Sequence, residues 1–270
     1  MTSHPSKQDW TDAHFHLFPA NEGLAQARYV PAYAADFDRW SAAATPMGVV
    51  RGVLVQPSFL GTDNSRLCAE LRAHPRALRG IVVVDPDCTV QALRDLDACG
   101  VRGIRLNLAG VSHDVTEWSR AALLWDEVLR LGWHVELHTD IGALAGVLPR
   151  LPAQLPLVVD HMAKPDAPST TDPTIAALRT RSRRAPVHVK LSGAYRLKGR
   201  DAGAIARVLL AELGEHRLLW GSDWPCTNFE QHADFGRLLG QLHDWVGERV
   251  ATAALGSNPA ALYWSRVNPG

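Results

Sequence analysis

Several things are scarce in this chain, and each scarcity removes a class of function. Cysteine occurs four times, as Cys68, Cys88, Cys99 and Cys226, and no two form a C-x-x-C pair. Neither a disulfide framework nor a zinc ribbon therefore organises the fold, and a reducing cytoplasm is the expected compartment. An excess of one charge is missing too. The 28 Lys and Arg residues cancel the 28 Asp and Glu residues, so the broad positive footprint of a nucleic-acid binder is absent. The basic run Arg179 to Arg184 is a local exception, read as the cationic end of a helix favoured by its dipole. No apolar stretch reaches the ~18 residues of a membrane span, and Met1 to Asp9 lacks the apolar segment of a signal peptide. The expected partners are a small-molecule substrate and, at most, a second copy of the chain in a homodimer, with no nucleic acid and no membrane.

What remains is a pattern. The chain has 270 residues, 46% of them apolar and 21% charged, enough for one large core without staples. Eight short β-branched or apolar runs alternate with helical stretches: 10 to 16, 50 to 56, 80 to 84, 101 to 107, 133 to 138, 157 to 161, 187 to 192 and 218 to 223. Near-continuous apolar runs suit parallel strands buried on both faces. Eight such units with no linker predict a single α/β domain over residues 1 to 270, a closed (β/α)₈ barrel. The first strand is not followed by Gly-x-Gly-x-x-Gly, which argues against a dinucleotide fold. Leu17 to Thr45 and Lys164 to Pro173 read as elaborated loops at the strand C-terminal ends, where barrel enzymes keep their active sites.

The titratable residues gather at those same ends. His14 and His16 close the first strand, two residues apart and so on one face. Arg105 and Asn107 close the fourth strand, His138 the fifth, His161 the sixth, Lys190 and Ser192 the seventh, and Asp223 the eighth. Three imidazoles with one carboxylate, His14, His16, His138 and Asp223, suit one divalent ion such as zinc or manganese with a position open to water. In that arrangement Asp223 acts as general base, taking the water's proton and later delivering it to the leaving oxygen, and His161 polarises the attacked carbonyl rather than binding the ion. Lys190 reads as a structural charge inside the barrel, and Ser192 lacks the Gly-x-Ser-x-Gly elbow of a serine hydrolase. Trp224, directly after Asp223, is a candidate pocket wall.

Six segments carry a family resemblance: Thr-Asp-Ala-His-Phe-His at 11 to 16, Gly-Thr-Asp-Asn at 61 to 64, Gly-Val-Arg-Gly-Ile-Arg-Leu-Asn at 100 to 107, Val-Val-Asp-His-Met at 158 to 162, Trp-Gly-Ser-Asp-Trp-Pro at 220 to 225 and Asn-Pro-Ala-Ala-Leu-Tyr-Trp at 258 to 264. The chain resembles the amidohydrolase-related barrels of the lactonase branch, which include the 2-pyrone-4,6-dicarboxylate lactonases. The resemblance implies a distorted barrel of amidohydrolase type and ring-opening hydrolysis of a lactone, with Asp223 activating water and the histidines of strands one and six, His14, His16 and His161, holding the carbonyl; in the pyrone dicarboxylate enzymes this catalysis is metal-independent, while other branches keep a metal. It further implies substrate contacts from Arg105, Arg196 and Tyr29. Two departures are visible. His138 stands where the pyrone dicarboxylate enzymes are expected to have tyrosine, and Leu108 to Ser112 lacks the expected cation. The alternative activity is metal-dependent, non-oxidative decarboxylation of an aromatic acid; the alternative outside enzymes is a binding barrel that has lost its chemistry.

Overall fold

The computed structural model describes residues 9–265; the N-terminal stretch lacking an apolar segment falls, up to Gln8, outside them. Eight strands form one sheet in sequential order, every neighbouring pair parallel. They are β1 (Trp10–Phe15), β2 (Val49–Val55), β3 (Leu78–Val82), β4 (Val101–Asn107), β5 (His134–His138), β6 (Leu157–Val159), β7 (Val187–Leu191) and β8 (Leu218–Trp220). A helix follows each: α1 (Phe37–Ala44), α2 (Ser65–Ala73), α3 (Val90–Cys99), α4 (Ala122–Arg130), α5 (Leu144–Val147), α6 (Pro173–Ser182), α7 (Ala202–Leu213) and α8 (Phe235–Leu255). This is the (β/α)₈ barrel that alternating parallel units predict.

The two faces of the strands pack differently, as a period of two requires. Leu54, Val82, Val135, Leu137, Val159 and Val189 belong to the large shell beneath the helices. Val53, Val55, Ile81, Val158 and Leu219 form a separate cluster with Tyr263, which the last turn of the chain contributes. Each such fully buried apolar side chain is worth about 1.5–3 kcal/mol relative to exposure. Gly52 marks a place where a side chain cannot enter: an added Cβ would lie 2.6 Å from Phe15 and 2.9 Å from Trp40, two rings stacked at 4.4 Å.

The barrel closes just beyond the end of β8. Asp223 N donates to His14 O at 2.8 Å and His16 N donates to Trp224 O at 2.9 Å, with a parallel bridge between Phe15 and Trp224. The closing seam thus runs through the residues expected to carry the chemistry.

Several expectations need adjustment. Strand four is found over the expected residues, but β6 and β8 stop at Val159 and Trp220, short of His161 and Asp223. The long segment after β1 is not all loop, because its last residues form α1, capped by Asp36 accepting from Arg39 N. Thr89 caps α3 by accepting from Ala92 N. Of the basic run, Arg181 donates to the carbonyls of Leu151, Pro152 and Leu155, and Arg179 pairs with Glu212. None of the described helices is long and apolar enough to cross a membrane.

Candidate active site

The site begins with Asp12, which sequence reasoning passed over. Its Oδ1 accepts from His14 N at 3.1 Å and Ser222 N at 2.8 Å, while Oδ2 accepts from Ser222 Oγ at 2.5 Å and Trp40 Nε1 at 3.1 Å. One carboxylate therefore ties β1 to the segment after β8. Burial pushes its pKa up to about 6 despite those four donors. The approach is tight enough to demand Gly221, where a Cβ would stand 2.6 Å from that of His14.

Beyond the short strands, the chain turns in unusual backbone. Asp223 has φ 58°, and the four residues His161, Met162, Ala163 and Lys164 have φ of 49°, 58°, 58° and 44°. Non-glycine residues avoid this left-handed region, so a run of four is held by its surroundings and points to function. The turn folds His161 inward, where it lies 1% exposed with Nδ1 3.0 Å from Ser192 Oγ.

Asp223 is the hub. Its Oδ2 accepts from Arg196 Nε at 2.6 Å and Tyr195 OH at 2.7 Å; its Oδ1 has no hydrogen-bond partner although fully buried. That free oxygen faces His16 Nε2 at 3.4 Å and His14 Nε2 at 3.7 Å, while His161 Nε2 stands 3.9 Å from Oδ2. Burial opposes ionisation of Asp223, but the charge of Arg196 outweighs it and holds the carboxyl well below the usual range. Burial lowers His14 to about 3 and holds His161 and His138 well below the usual imidazole value. The three rings are neutral at pH 7, beside a carboxylate that is ionised.

By distance, the group also fits a divalent ion. His14 Nε2 and His16 Nε2 are 3.3 Å apart, and with Asp223 Oδ1 they form a triangle whose other sides are 3.4 and 3.7 Å. One point lies about 2.0 Å from all three atoms, the length of zinc bonds to imidazole and carboxylate. His138, expected as a further ligand, belongs to neither group of ligand atoms that converge here: His14, His16 and Asp223, or His14, Asp160 and His161. Its Nδ1 faces Arg105 Nη2 at 3.3 Å, and its ring packs edge-on against His161 at 4.6 Å.

Beneath the histidines lies a buried charge network. Lys190 Nζ donates to Glu136 Oε2 at 2.5 Å and lies 3.4 Å from Asp160 Oδ1, the structural pairing expected of it. Arg105, 3% exposed, donates from Nε and Nη2 to Asp160 Oδ2 at 3.0 and 2.8 Å. Two cations thus meet two carboxylates, and Arg105 is committed inward rather than presented at the mouth. Glu136 and Asp160 were legible in principle: Glu136 shares a strand face with His138, two residues on.

At the rim, Arg196 bridges Asp223 and Thr227 O. Lys164, also missed from sequence, is 6% exposed and forms no ion pair among the described residues. Burial and the neighbouring Arg196 push its ammonium down to about 8. Tyr29 and Tyr33 both donate to Glu230 Oε1, at 3.1 and 2.9 Å, on the loop after β8. Trp224 is 9% exposed beside Asp223, and Asn107 pairs with His138 across the β4–β5 ladder. A cavity of about 690 Å³ between α2 and α3, lined by Cys68, Cys88 and Cys99, contains none of these groups.

Comparison with known proteins gives one consistent family. The amidohydrolase family profile matches residues 11–264. A 2-pyrone-4,6-dicarboxylate hydrolase of Comamonas testosteroni is 30% identical, over 94% of this chain and 89% of its own. A 4-sulfomuconolactone hydrolase of Hydrogenophaga intermedia is 29% identical, over 93% of this chain and 88% of its own. The crystal structure of a Pseudomonas putida protein assigned to the 2-pyrone-4,6-dicarboxylic acid hydrolases superimposes with a TM-score of 0.84 at 36% identity, covering 95% of this chain and 98% of that one. Matched from β1 to the final helical turn, the chain belongs to the amidohydrolase family.

Proposed function

We propose that this protein opens the ring of an anionic lactone by adding water to its carbonyl carbon. The observation that carries the reading is the unshared Oδ1 of buried Asp223, aimed at two imidazole nitrogens while Oδ2 is held by Arg196 and Tyr195. The relatives named above, hydrolases of a pyrone dicarboxylate and a sulfomuconolactone, support the substrate class.

In this scheme the attacking water donates to Asp223 Oδ1 and to His16 Nε2, which is a bare acceptor when Nδ1–H bonds Val55 O at 2.8 Å. Asp223 takes the water's proton as the C–O bond forms and returns it to the departing ring oxygen. The carbonyl oxygen, negative in the tetrahedral intermediate, receives hydrogen bonds from the neutral rings of His14 and His161, both buried, where such donors act strongly. Arg196 and Lys164 take the anionic groups of the substrate, and Trp224 forms the adjoining wall. Arg105 acts through Asp160, and Tyr29 holds the rim through Glu230. A zinc or manganese ion held by His14, His16 and Asp223 would supply Lewis-acid polarisation of the same carbonyl.

The test is a panel of sugar-acid and muconate-derived lactones, with acid release followed at constant pH, carbon dioxide monitored and metal content measured in the same preparation. Acid release without carbon dioxide is expected. Carbon dioxide from an aromatic acid, or no turnover of any lactone, would overturn the reading.

A further inference from the structure

The segment 17–36, between β1 and α1, does not stay above its own strand. At its base it pairs with itself: Phe18 N donates to Ala35 O, Ala35 N to Phe18 O and Asn21 N to Pro31 O, each at 2.8 Å. Its tip then reaches three other rims. Leu24 N donates to Phe59 O, after β2, at 2.8 Å. Tyr29 and Tyr33 donate to Glu230, after β8. Arg28 Nη2 donates to Ala109 O, after β4, at 2.8 Å. In a closed barrel whose eight strands follow one another in order, β4 and β8 stand on opposite sides. Arg28 and Tyr29 are consecutive, with Cα atoms only ~3.8 Å apart, and they grip opposite rims. The chain that carries them therefore crosses the mouth, and the groups beneath it are sealed: His14 is 0% exposed, His161 and Asp223 1%.

We propose that this segment is a strap that confines the site to a free, single-ring lactone, and that Arg28 is the specificity-determining residue fastening it to the far rim. The fit at that fastening is close. A Cβ on Gly110 would lie 1.8 Å from Arg28 Nη1, and on Gly61 it would lie 2.8 Å from Leu24, so glycine on two rims makes room for strap side chains. On the third rim Glu230 ties the strap to the chemistry, because its neighbour Phe229 packs against Tyr195 at 5.1 Å and Tyr195 donates to Asp223. A bulky group attached to the lactone would have to displace one of these fastenings to enter. That cost falls on the large substrate alone, which is how a clash produces specificity.

The inference rests on the reading that the substrate is an anionic lactone, and its test separates the two. An anionic lactone and its benzyl ether carry the same charge and differ in bulk. In the native chain kcat/KM should favour the small ring. In Arg28→Ala that preference should fall about tenfold or more, with kcat on the small ring little changed. Gly110→Ala evicts the guanidinium but keeps its charge, and should relax the preference alike. A second arm needs no turnover: labelling of His16 and His161 by diethyl pyrocarbonate, followed by mass spectrometry, should be several-fold faster in both variants. A native chain indifferent to bulk, a preference relaxed in neither variant or in Arg28→Ala alone, or labelling no faster than in the native chain would overturn the strap. Accelerated labelling with no turnover of any lactone would instead overturn the proposed function and leave the strap standing.

Discussion

Arg196 places its Nε 2.6 Å from Asp223 Oδ2 and leaves Oδ1 to the histidines. One oxygen is anchored and the other is the base of the proposed reaction. Changing Asp223 to Asn keeps the shape but removes the proton acceptor. Turnover should fall ~10²-fold or more in a chain that still folds, with some loss of thermal midpoint from the weakened pair with Arg196. Steady-state kinetics beside a melting curve test this, and retained kcat would dismiss the assignment.

The same contact sets the acid limb of activity. Asp223 works as an anion, and Arg196 helps hold its carboxyl low. In Arg196→Met that pKa rises, so protonation sets in sooner as pH falls and the acid limb of kcat/KM moves to higher pH. KM for an anionic lactone should rise about ten- to hundredfold with the lost charge-assisted bond. A rise in KM without displacement of the limb would separate binding from tuning.

Lys164 governs the other limb. Its ammonium, lowered to about 8 by burial, is charged below that pH and neutral above it. The basic limb of kcat/KM for an anionic lactone should therefore fall near pH 8. Lys164→Arg should carry it upward, since guanidinium keeps its proton, and Lys164→Met should abolish the limb and weaken substrate capture throughout. A native profile flat to pH 10 would remove Lys164 from the binding site.

Arg105 is the structural counterexample. Because it lies buried against Asp160, Arg105→Met leaves that carboxylate without its fixed partner. Breaking such a pair costs about 3–5 kcal/mol, and denaturant unfolding should register it. Full stability with only KM raised would restore Arg105 to the substrate.

Much of this was legible in the sequence, for identifiable reasons. Continuous apolar runs locate buried parallel strands, so β4 is found over its expected residues and the other strands near theirs. The histidines and Asp223 converge because strand ends in a barrel converge. What the sequence hides is backbone handedness: nothing in Val-Val-Asp-His-Met-Ala-Lys announces four left-handed residues, so β6 reads too long and Lys164 reads as loop. Partner choice is hidden as well. Arg105 reads as a substrate fork and His138 as a ligand, while the contacts of that guanidinium with Asp160 and with His138 Nδ1 are invisible in the sequence.

The junction of β1 with β8 depends on two backbone hydrogen bonds, one bridge and the Asp12 clamp. Asp223, the proposed base, hangs from that junction. A substitution that loosens this joint would move Asp223 relative to the histidines even where the helices keep their contacts, so barrel closure and the geometry of the site are one and the same constraint.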